Sequence, residues 1–188
     1  MSGIVIIPLF SPKTMTVDAS KAIQSAKQLF LQTSLHPSAE AVRALNAAFV
    51  SMDDLFETCE DFDRLNEAIA ERLCSAMDCV YVATGSIFSS QLPVMKQKAD
   101  ERGISVTVLP YVSISAAAFP ALPQARECSA HDLQNAFDPE QSYVICEIDS
   151  RLIAGEAKLT LTEYFDDELA VLISSIGKNG EYESRSIL

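Results

Sequence analysis

The sequence has few of the residues that build metal sites and nucleic-acid surfaces. Histidine occurs only twice, at His36 and His131, and the five cysteines include no Cys-x-x-Cys pair, so the ligand spacing of a zinc site is missing. The 14 basic residues are outnumbered by 26 acidic ones, which gives a formal net charge of −12. Because nucleic acids and anionic membranes are bound by basic patches, we expect neither of them as a partner.

Long apolar runs and targeting signals are missing as well. No apolar run is long enough to span a bilayer, and the first residues lack the basic segment of a signal peptide. An odd number of cysteines without paired spacing is typical of a reduced chain, so we expect a cytoplasmic protein. Hydrophobic residues make up 48% of the 188 residues, which predicts a packed core in one domain or two small lobes.

Strand-like and helix-like segments alternate along most of the chain. Buried strands are predicted at residues 4–7, 28–33, 49–50, 79–83 and 106–109. Helices are predicted between them at residues 17–23, 36–45, 61–76 and 91–101, with a further short helix at 113–119. Such alternation predicts an α/β fold with a mostly parallel sheet and right-handed crossovers.

Two prolines, Pro120 and Pro123, interrupt this alternation and predict a boundary between two lobes. The N-terminal α/β lobe would comprise residues 1–120, and a smaller mixed α/β lobe residues 121–188. Helices are predicted in the second lobe at 132–136 and 150–164, and strands at 143–148, 170–174 and 182–187. Because the sequence ends in a strand-like segment, we expect the second lobe to be cut short.

The helix that begins at Asp61 has the clearest periodicity in the chain. Its apolar residues recur every three or four positions and predict one apolar stripe, for the core or for an interface: Phe62, Leu65, Ile69, Leu73 and Ala76. The acidic residues of this region lie off that stripe: Glu60, Asp61, Asp63, Glu67 and Glu71. They fit either a cation site or the solvated face of an amphipathic helix.

The turn that begins at Thr84 follows the buried strand 79–83 and precedes the helix 91–101. A strand that ends on a glycine and small hydroxyl residues leaves backbone N–H groups free, and open α/β sheets bind small ligands at that edge. The same residues also suit a tight turn that binds nothing, so both interpretations stay open. No Ser-His-Asp arrangement, P-loop or EF-hand is found in the sequence, so no catalytic residue is assigned.

Three stretches of the chain carry a family resemblance: residues 31–37, the acidic run 52–56 with the helix that ends near Leu73, and residues 149–159. They resemble the tetrapyrrole (corrin/porphyrin) methylase family, and within it the branch fused to MazG-type nucleotide pyrophosphohydrolases. The resemblance implies two α/β lobes with S-adenosylmethionine in the cleft between them. It also implies a MazG-type domain in the same chain or another one, and a homodimer, as partners.

The resemblance places the cofactor, or another small molecule, against three loops that follow strands. The candidate residues of these loops are Pro8, Leu9, Phe10, Ser11, Thr84, Gly85, Ser86, Ile87, Phe88, Tyr111, Val112 and Ser113. In the family the loops read Gly-x-Gly-Pro-Gly-Asp, glycine–polar–proline and Pro-Gly-x-Ser. Here the first loop has no glycine, the second keeps Gly85 without the proline, and the third has Tyr111 in place of glycine.

Glycines in such loops let the main chain approach a ligand closely. We therefore predict that the rings of Phe10 and Tyr111 occupy the cleft that relatives keep open. Two functions are consistent with these loops. One is an active S-adenosylmethionine-dependent methyltransferase acting on a tetrapyrrole or other large ring, whose chemistry needs orientation more than a protein nucleophile. The other, which we favour because three glycine-dependent contacts are altered together, is a non-catalytic or altered-ligand binding or regulatory module associated with a MazG-type pyrophosphohydrolase.

Overall fold

The structure is a computed structural model that describes residues 3–85, 87, 90–113, 116, 125–148, 150–165, 171–174 and 183–186. The chain divides into two compact units, Met1–Val112 and Ser113–Leu188. The predicted boundary at Pro120 and most of the predicted helix 113–119 lie outside the described residues. Among the residues described, no helix is both long and apolar enough to cross a bilayer.

The first unit is built on a parallel sheet. Its described strands are β1 (Gly3–Pro8), β2 (Leu29–Leu31), β3 (Phe49–Ser51), β4 (Cys79–Ala83) and β5 (Ser105–Val108), in the order β3-β2-β4-β1-β5. β1 lies between β4 and β5 and pairs with β4 from Ile4 opposite Cys79 to Pro8 opposite Ala83. The parallel sheet and its strands confirm the prediction from the alternating pattern.

Helices connect these strands. In the described part of the first unit they are α1 (Val17–Ser25), α2 (Ser38–Leu45), α3 (Asp53–Thr58), α4 (Phe62–Ala76) and α5 (Gln91–Glu101), with a 3-10 helix at Pro12–Thr14. α1 and α4 each begin with a side-chain N-cap: the side chain of Thr16 accepts from the N–H of Ala19, and that of Asp61 from the N–H of Arg64. Each cap satisfies a donor that the first helical turn leaves unpaired.

The end of α5 is fixed by Gly103, as its position after the helix predicts. Gly103 has a φ of +66°, a conformation that glycine adopts without a steric penalty. Its N–H donates to the carbonyl of Asp100, and the N–H of Ile104 donates to that of Ala99 at 2.9 Å. These two bonds form a Schellman motif, which satisfies the last carbonyls of the helix and leads the chain into β5.

The sheet of the first unit is covered on both faces. Successive residues of a strand point to opposite faces, so each strand contributes to two cores. One core contains α1, α2, Leu9 of the loop after β1, and the strand residues Ile7, Leu29, Leu31, Val80 and Val82. The other contains α4, α5 and the strand residues Ile4, Ile6, Cys79, Tyr81 and Ala83. Helices therefore leave the sheet on opposite faces, which positions the loops described below.

The apolar stripe predicted for α4 is buried in its middle and partly exposed at its two ends. Leu65, Ile69 and Leu73 are buried against the sheet, but 49% of Phe62 is exposed, so Phe62 is not part of the core. Phe62 is the first residue of α4, and packing against the sheet starts one turn later, at Leu65. A residue at the end of a helix can continue a periodic pattern without having a partner beneath it.

The acidic residues around α4 form surface ion pairs. Glu71 lies 2.6 Å from Arg102 and 3.9 Å from Lys98, so it ties α4 to the end of α5. Glu60 and Asp61 both pair with Arg64. Within the described ranges no group of three or more His, Cys, Asp or Glu residues is arranged to hold a metal ion. These contacts support the interpretation of a solvated helix face.

β3 forms one edge of the sheet and is only three residues long. The guanidinium carbon of Arg43, in α2, lies 5.4 Å from the ring centroid of Phe49, at a distance typical of a cation–π contact. The next residue, Val50, is 53% exposed. The outer flank of the sheet is thus partly covered by a charged side chain.

The second unit contains two small sheets in its described part. β6 (Arg126–Ser129) pairs in parallel with β7 (Tyr143–Cys146), and β8 (Val171–Ser174) pairs antiparallel with β9 (Glu183–Ser186). Two helices are described, α6 (Leu133–Ala136) and α7 (Arg151–Thr162), and the side chain of Ser150 caps the second. All of these elements were predicted from the sequence except β6. The segment 177–180, whose sequence Gly-Lys-Asn-Gly is typical of a hairpin turn, lies outside the described residues.

Candidate functional site

The candidate site lies where β1 and β4 end next to each other. β1 continues towards α1 on one face of the sheet, whereas β4 continues towards α5 on the other face. In an open parallel sheet, a crevice forms at the carboxyl ends of two neighbouring strands whose connections diverge in this way, and ligands bind there. The loop after β1 and the turn after β4 therefore form the edge at which a ligand is expected.

The main-chain donors of the turn after β4 are occupied by the side chain of Gln32. Its Oε1 lies 2.7 Å from the backbone nitrogen of Thr84, 3.0 Å from that of Gly85 and 3.3 Å from Oγ1 of Thr84. All three groups donate to the same oxygen. The prediction that this turn leaves its N–H groups free is therefore wrong for Thr84 and Gly85.

The position of Gln32 follows from strand pairing. β2 pairs in parallel with β4, with Leu31 opposite Val82, so the residue after β2 comes to lie beside the residues that follow β4. The N–H of Gln32 also donates to the carbonyl of Val82 at 2.9 Å, which continues the ladder by one bond. Sequence analysis missed Gln32 as a site residue. The available signal was a polar residue placed immediately after an apolar strand, at the same edge as the predicted turn.

Gly85 is not required by the backbone of the turn. It has no positive φ, and a Cβ placed on it would lie 3.8 Å from Oε1 and 3.9 Å from Nε2 of Gln32, which is ordinary van der Waals contact. The glycine leaves room beside the turn, and the carboxamide of Gln32 faces that room.

Several polar groups of the loop after β1 are hydrogen-bonded within the protein. Pro8 closes β1, and the N–H of Leu9 donates to the carbonyl of Ala83 at 2.7 Å. The carbonyl of Leu9 accepts from Oγ of Ser38 at 3.4 Å. Ser11 is buried, and its Oγ accepts from the N–H of Lys13 at 3.2 Å at the start of the 3-10 helix. These groups are engaged with the protein rather than directed at a ligand.

The two aromatic rings predicted to fill the site contact each other. Phe10 is only 7% exposed, and its ring centroid lies 6.0 Å from that of Tyr111 at an interplanar angle of 61°. Such an edge-to-face contact is a favoured geometry for aromatic pairs. Phe10 follows β1 and Tyr111 follows β5, so their contact joins the loops that follow these two neighbouring strands. That both rings fill a cleft between the lobes stays a prediction.

The remaining candidate residues are divided among different surroundings. Ile87 is fully buried in the core that contains α5, and its carbonyl accepts from the N–H of Leu92 at 2.7 Å. Val112 and Ser113 are partly buried, and Oγ of Ser113 accepts from the N–H of Ala116 at 3.0 Å. Ser86 and Phe88 lie outside the described residues.

A carboxylate fixes the loop that carries Gln32. The N–H of Ser34 donates to both carboxylate oxygens of Asp53, at 3.2 and 3.1 Å, and its Oγ donates to Oδ2. Burial raises the pKa of Asp53, but hydrogen bonds from Ser34, Thr33 and Ser51 outweigh it and hold that pKa below its usual value. The charged form of Asp53 therefore links the loops after β2 and β3 and positions the residues next to Gln32.

Comparison with known proteins identifies one curated relative. No protein-family model matches the chain. The uncharacterized protein YabN of Bacillus subtilis is 26% identical over 183 residues, which cover 89% of this chain and 37% of that protein. The chain thus spans little more than a third of the length of this curated protein.

Solved structures of methyltransferases share the architecture of this chain. Uroporphyrin-III-C-methyltransferase from Thermus thermophilus matches with a TM-score of 0.64 and 15% identity, over 98% of this chain and 82% of that one. The methyltransferase CobJ matches with a TM-score of 0.66 and 11% identity, over 98% and 85%. A further structure of the Thermus enzyme, with a TM-score of 0.63 and 12% identity over 97% of this chain and 86% of that one, is a complex with S-adenyl homocysteine. At these identities the likeness is one of fold, and the chain has the α/β fold of the tetrapyrrole methylases, as the sequence predicts.

Proposed function

We propose that this chain is a tetrapyrrole methylase-like module that acts by binding, not by methyl transfer, because its cofactor loops are degenerate. The observation that carries the proposal is the contact of Gln32 with the turn after β4. The turn's N–H groups are the donors that a ligand would need, and a protein side chain already satisfies them at 2.7 and 3.0 Å. A ligand would have to break these bonds before it could form its own.

The loop after β1 supports the same proposal. The resemblance implies a glycine-rich loop that approaches the cofactor. This chain has the buried Phe10 there, and the centroid of its ring lies 6.0 Å from that of Tyr111. The main-chain groups of Leu9 are bonded to Ala83 and Ser38. The residues present therefore do not fit S-adenosylmethionine in the arrangement that the resemblance implies.

The partner and the cellular location are part of the proposal. The resemblance implies a MazG-type pyrophosphohydrolase domain, in the same polypeptide or in a second one, and we propose that the module regulates it. The chain matches only 37% of the length of YabN, so in that protein the matching region belongs to a longer polypeptide. The five cysteines form no disulfide, which is consistent with a reduced, cytoplasmic environment. A homodimer is a further expectation, which sedimentation of the purified chain would test.

The alternative is an active S-adenosylmethionine-dependent methyltransferase. It is favoured by the fold, because the structural relatives are methyltransferases and one of them is in complex with S-adenyl homocysteine. For this function the side chain of Gln32 would have to leave the turn, and the ring of Phe10 would have to leave its buried position.

Calorimetric titration of the chain with S-adenosylmethionine and S-adenosylhomocysteine separates the two functions. If the chain is a module that does not hold this cofactor, we expect no saturable heat at about 1 mM of either compound. Any binding free energy would then be weaker than the roughly 4 kcal/mol that a Kd of about 1 mM represents. The Thermus uroporphyrin-III methyltransferase serves as the positive control. A Kd of about 1 µM for this chain would instead establish the alternative.

A further inference from the structure

Two successive main-chain donors and one hydroxyl converge on a single oxygen in the turn after β4. The nitrogens of Thr84 and Gly85 and Oγ1 of Thr84 all lie within 3.3 Å of Oε1 of Gln32. Successive N–H groups aimed at one point form a concavity that binds anions and acceptor oxygens. The turn therefore has the donor geometry of a ligand site, and an acceptor oxygen of the protein itself occupies that site.

We propose that Gln32 is an internal competitor that holds closed a binding site for a ligand oxygen, of a carboxylate or a carboxamide, on the N–H groups of Thr84 and Gly85. This inference rests on the proposed function, because both assign the same role to the turn after β4. It goes further by naming the residue that excludes ligands and the chemical class that the site accepts.

Competition by Gln32 is effective because its oxygen is tethered. A group held on a short tether acts at an effective concentration in the millimolar range or above, so a free ligand of comparable intrinsic strength displaces it only at a higher concentration than that. A carboxylate forms charge-assisted bonds to N–H groups that are about twice as strong as those of a neutral amide. A carboxylate probe should therefore bind more tightly than a carboxamide probe once the tethered oxygen has been removed.

Truncation of Gln32 should open the site without rebuilding the turn. The backbone bond from Gln32 to Val82 does not involve the side chain, and the bond from Leu9 to Ala83 holds the adjacent end of β4 in place. The bonds between Ser34 and Asp53 position the neighbouring loop independently. Gln32→Ala thus removes the acceptor oxygen while the main-chain donors keep their support.

The test is a titration of the ¹⁵N-labelled chain with sodium acetate and with acetamide, followed by the amide resonances of Thr84 and Gly85. In Gln32→Ala both probes should shift these resonances saturably, acetate at the lower concentration. The wild-type protein should need ~10-fold or more of either probe for the same shift. Gln32→Glu, which keeps a tethered acceptor oxygen and adds a charge, should need at least as much of either probe as the wild type.

Matched controls make the titration specific. Gln28→Ala removes the same side chain near the other end of β2, where its Nε2 lies 3.5 Å from the carbonyl of Ala76, and should leave the response of the wild type unchanged. Sodium chloride at equal ionic strength accounts for screening. If Gln32→Ala does not fold, Gln32→Asn replaces it as the test variant, because its shorter side chain withdraws the oxygen from the turn by one methylene group.

Two results would overturn the inference. One is a folded Gln32→Ala protein in which neither probe shifts Thr84 and Gly85, and the other is a wild-type protein that responds as strongly as the variant. Failure of the proposed function is a separate result, because it requires S-adenosylmethionine to bind the wild-type chain in the calorimeter. Neither acetate nor acetamide reports on that binding.

Discussion

Tyr81 provides the sharpest test of how the first unit is held together. Its side chain is fully buried in β4, and its hydroxyl donates to Oε1 of Gln91 at 3.1 Å. Nε2 of Gln91 in turn donates to Oδ1 of Asn66 at 3.3 Å, so one buried chain of hydrogen bonds joins β4, α5 and α4. Burial raises the pKa of Tyr81 far above its usual value, more than the bond to Gln91 lowers it. The hydroxyl therefore remains a donor in the folded protein.

Replacement of Tyr81 by phenylalanine should destabilise the first unit by about 1–3 kcal/mol. The ring keeps its place in the core, but Oε1 of Gln91 loses its donor in a site that water does not reach, which costs the desolvation of that oxygen. With a urea dependence of about 1–3 kcal/mol per M, the midpoint of unfolding should fall by ~1 M. Urea titration followed by circular dichroism measures it.

Tyr143→Phe is the matched control. The hydroxyl of Tyr143 donates to the carbonyl of Ala136 and accepts from the N–H of Asp138, both at 3.1 Å in an exposed region, where water can replace it. We expect its effect to stay below about 0.5 kcal/mol. If Tyr81→Phe proves equally mild, with an unchanged urea dependence, the buried chain of hydrogen bonds contributes no more than an exposed one and the reasoning fails.

Three further predictions follow from single residues. Gly85→Ala should be neutral or raise stability by about 0.4–1 kcal/mol, because the added Cβ meets only ordinary contact and no positive φ is needed; a loss above 1 kcal/mol in urea unfolding would contradict this. Burial raises the pKa of Cys79 to about 12, whereas Cys59 is only partly buried, so a thiol reagent should modify Cys59 first and Cys79 only as the protein unfolds, which peptide mass mapping can check. Burial lowers the pKa of His36 in the folded protein, where its Nδ1 accepts from the N–H of Ser38. The unfolded chain therefore binds a proton at a higher pH than the folded protein does, and the free energy of unfolding should fall as pH drops below about 6.5. In His36→Asn, which keeps an acceptor, urea unfolding should show a smaller fall.

Local patterns predicted most of the elements. The caps at Thr16 and Asp61 and the glycine after α5 are local signals, and the structure has all three. α3 was missed because its six residues are too few to show a helical period, and the residue before it provides no side-chain cap.

The location of the candidate site could be predicted, but not that its main-chain donors are already hydrogen-bonded to a side chain. The apolar strand and the glycine after it predicted a ligand site at the turn after β4, and that turn lies beside the end of β1. Its occupation depends on Gln32, which is 52 positions away from Thr84 in the sequence and reaches it only because β2 pairs with β4. No local pattern reports such a contact. For the same reason the exposed position of Phe62 could not be distinguished from the buried positions that follow it.

The short β3 also affects how the protein behaves in concentrated solution. An unpaired sheet edge is a template on which other chains can add strands, and long, flat, apolar edges drive aggregation. Here the edge is three residues long, with the guanidinium of Arg43 stacked against Phe49. An incoming strand would find only a few main-chain partners there, beside a positive charge. The exposed Val50 can therefore lie at this sheet edge without promoting aggregation.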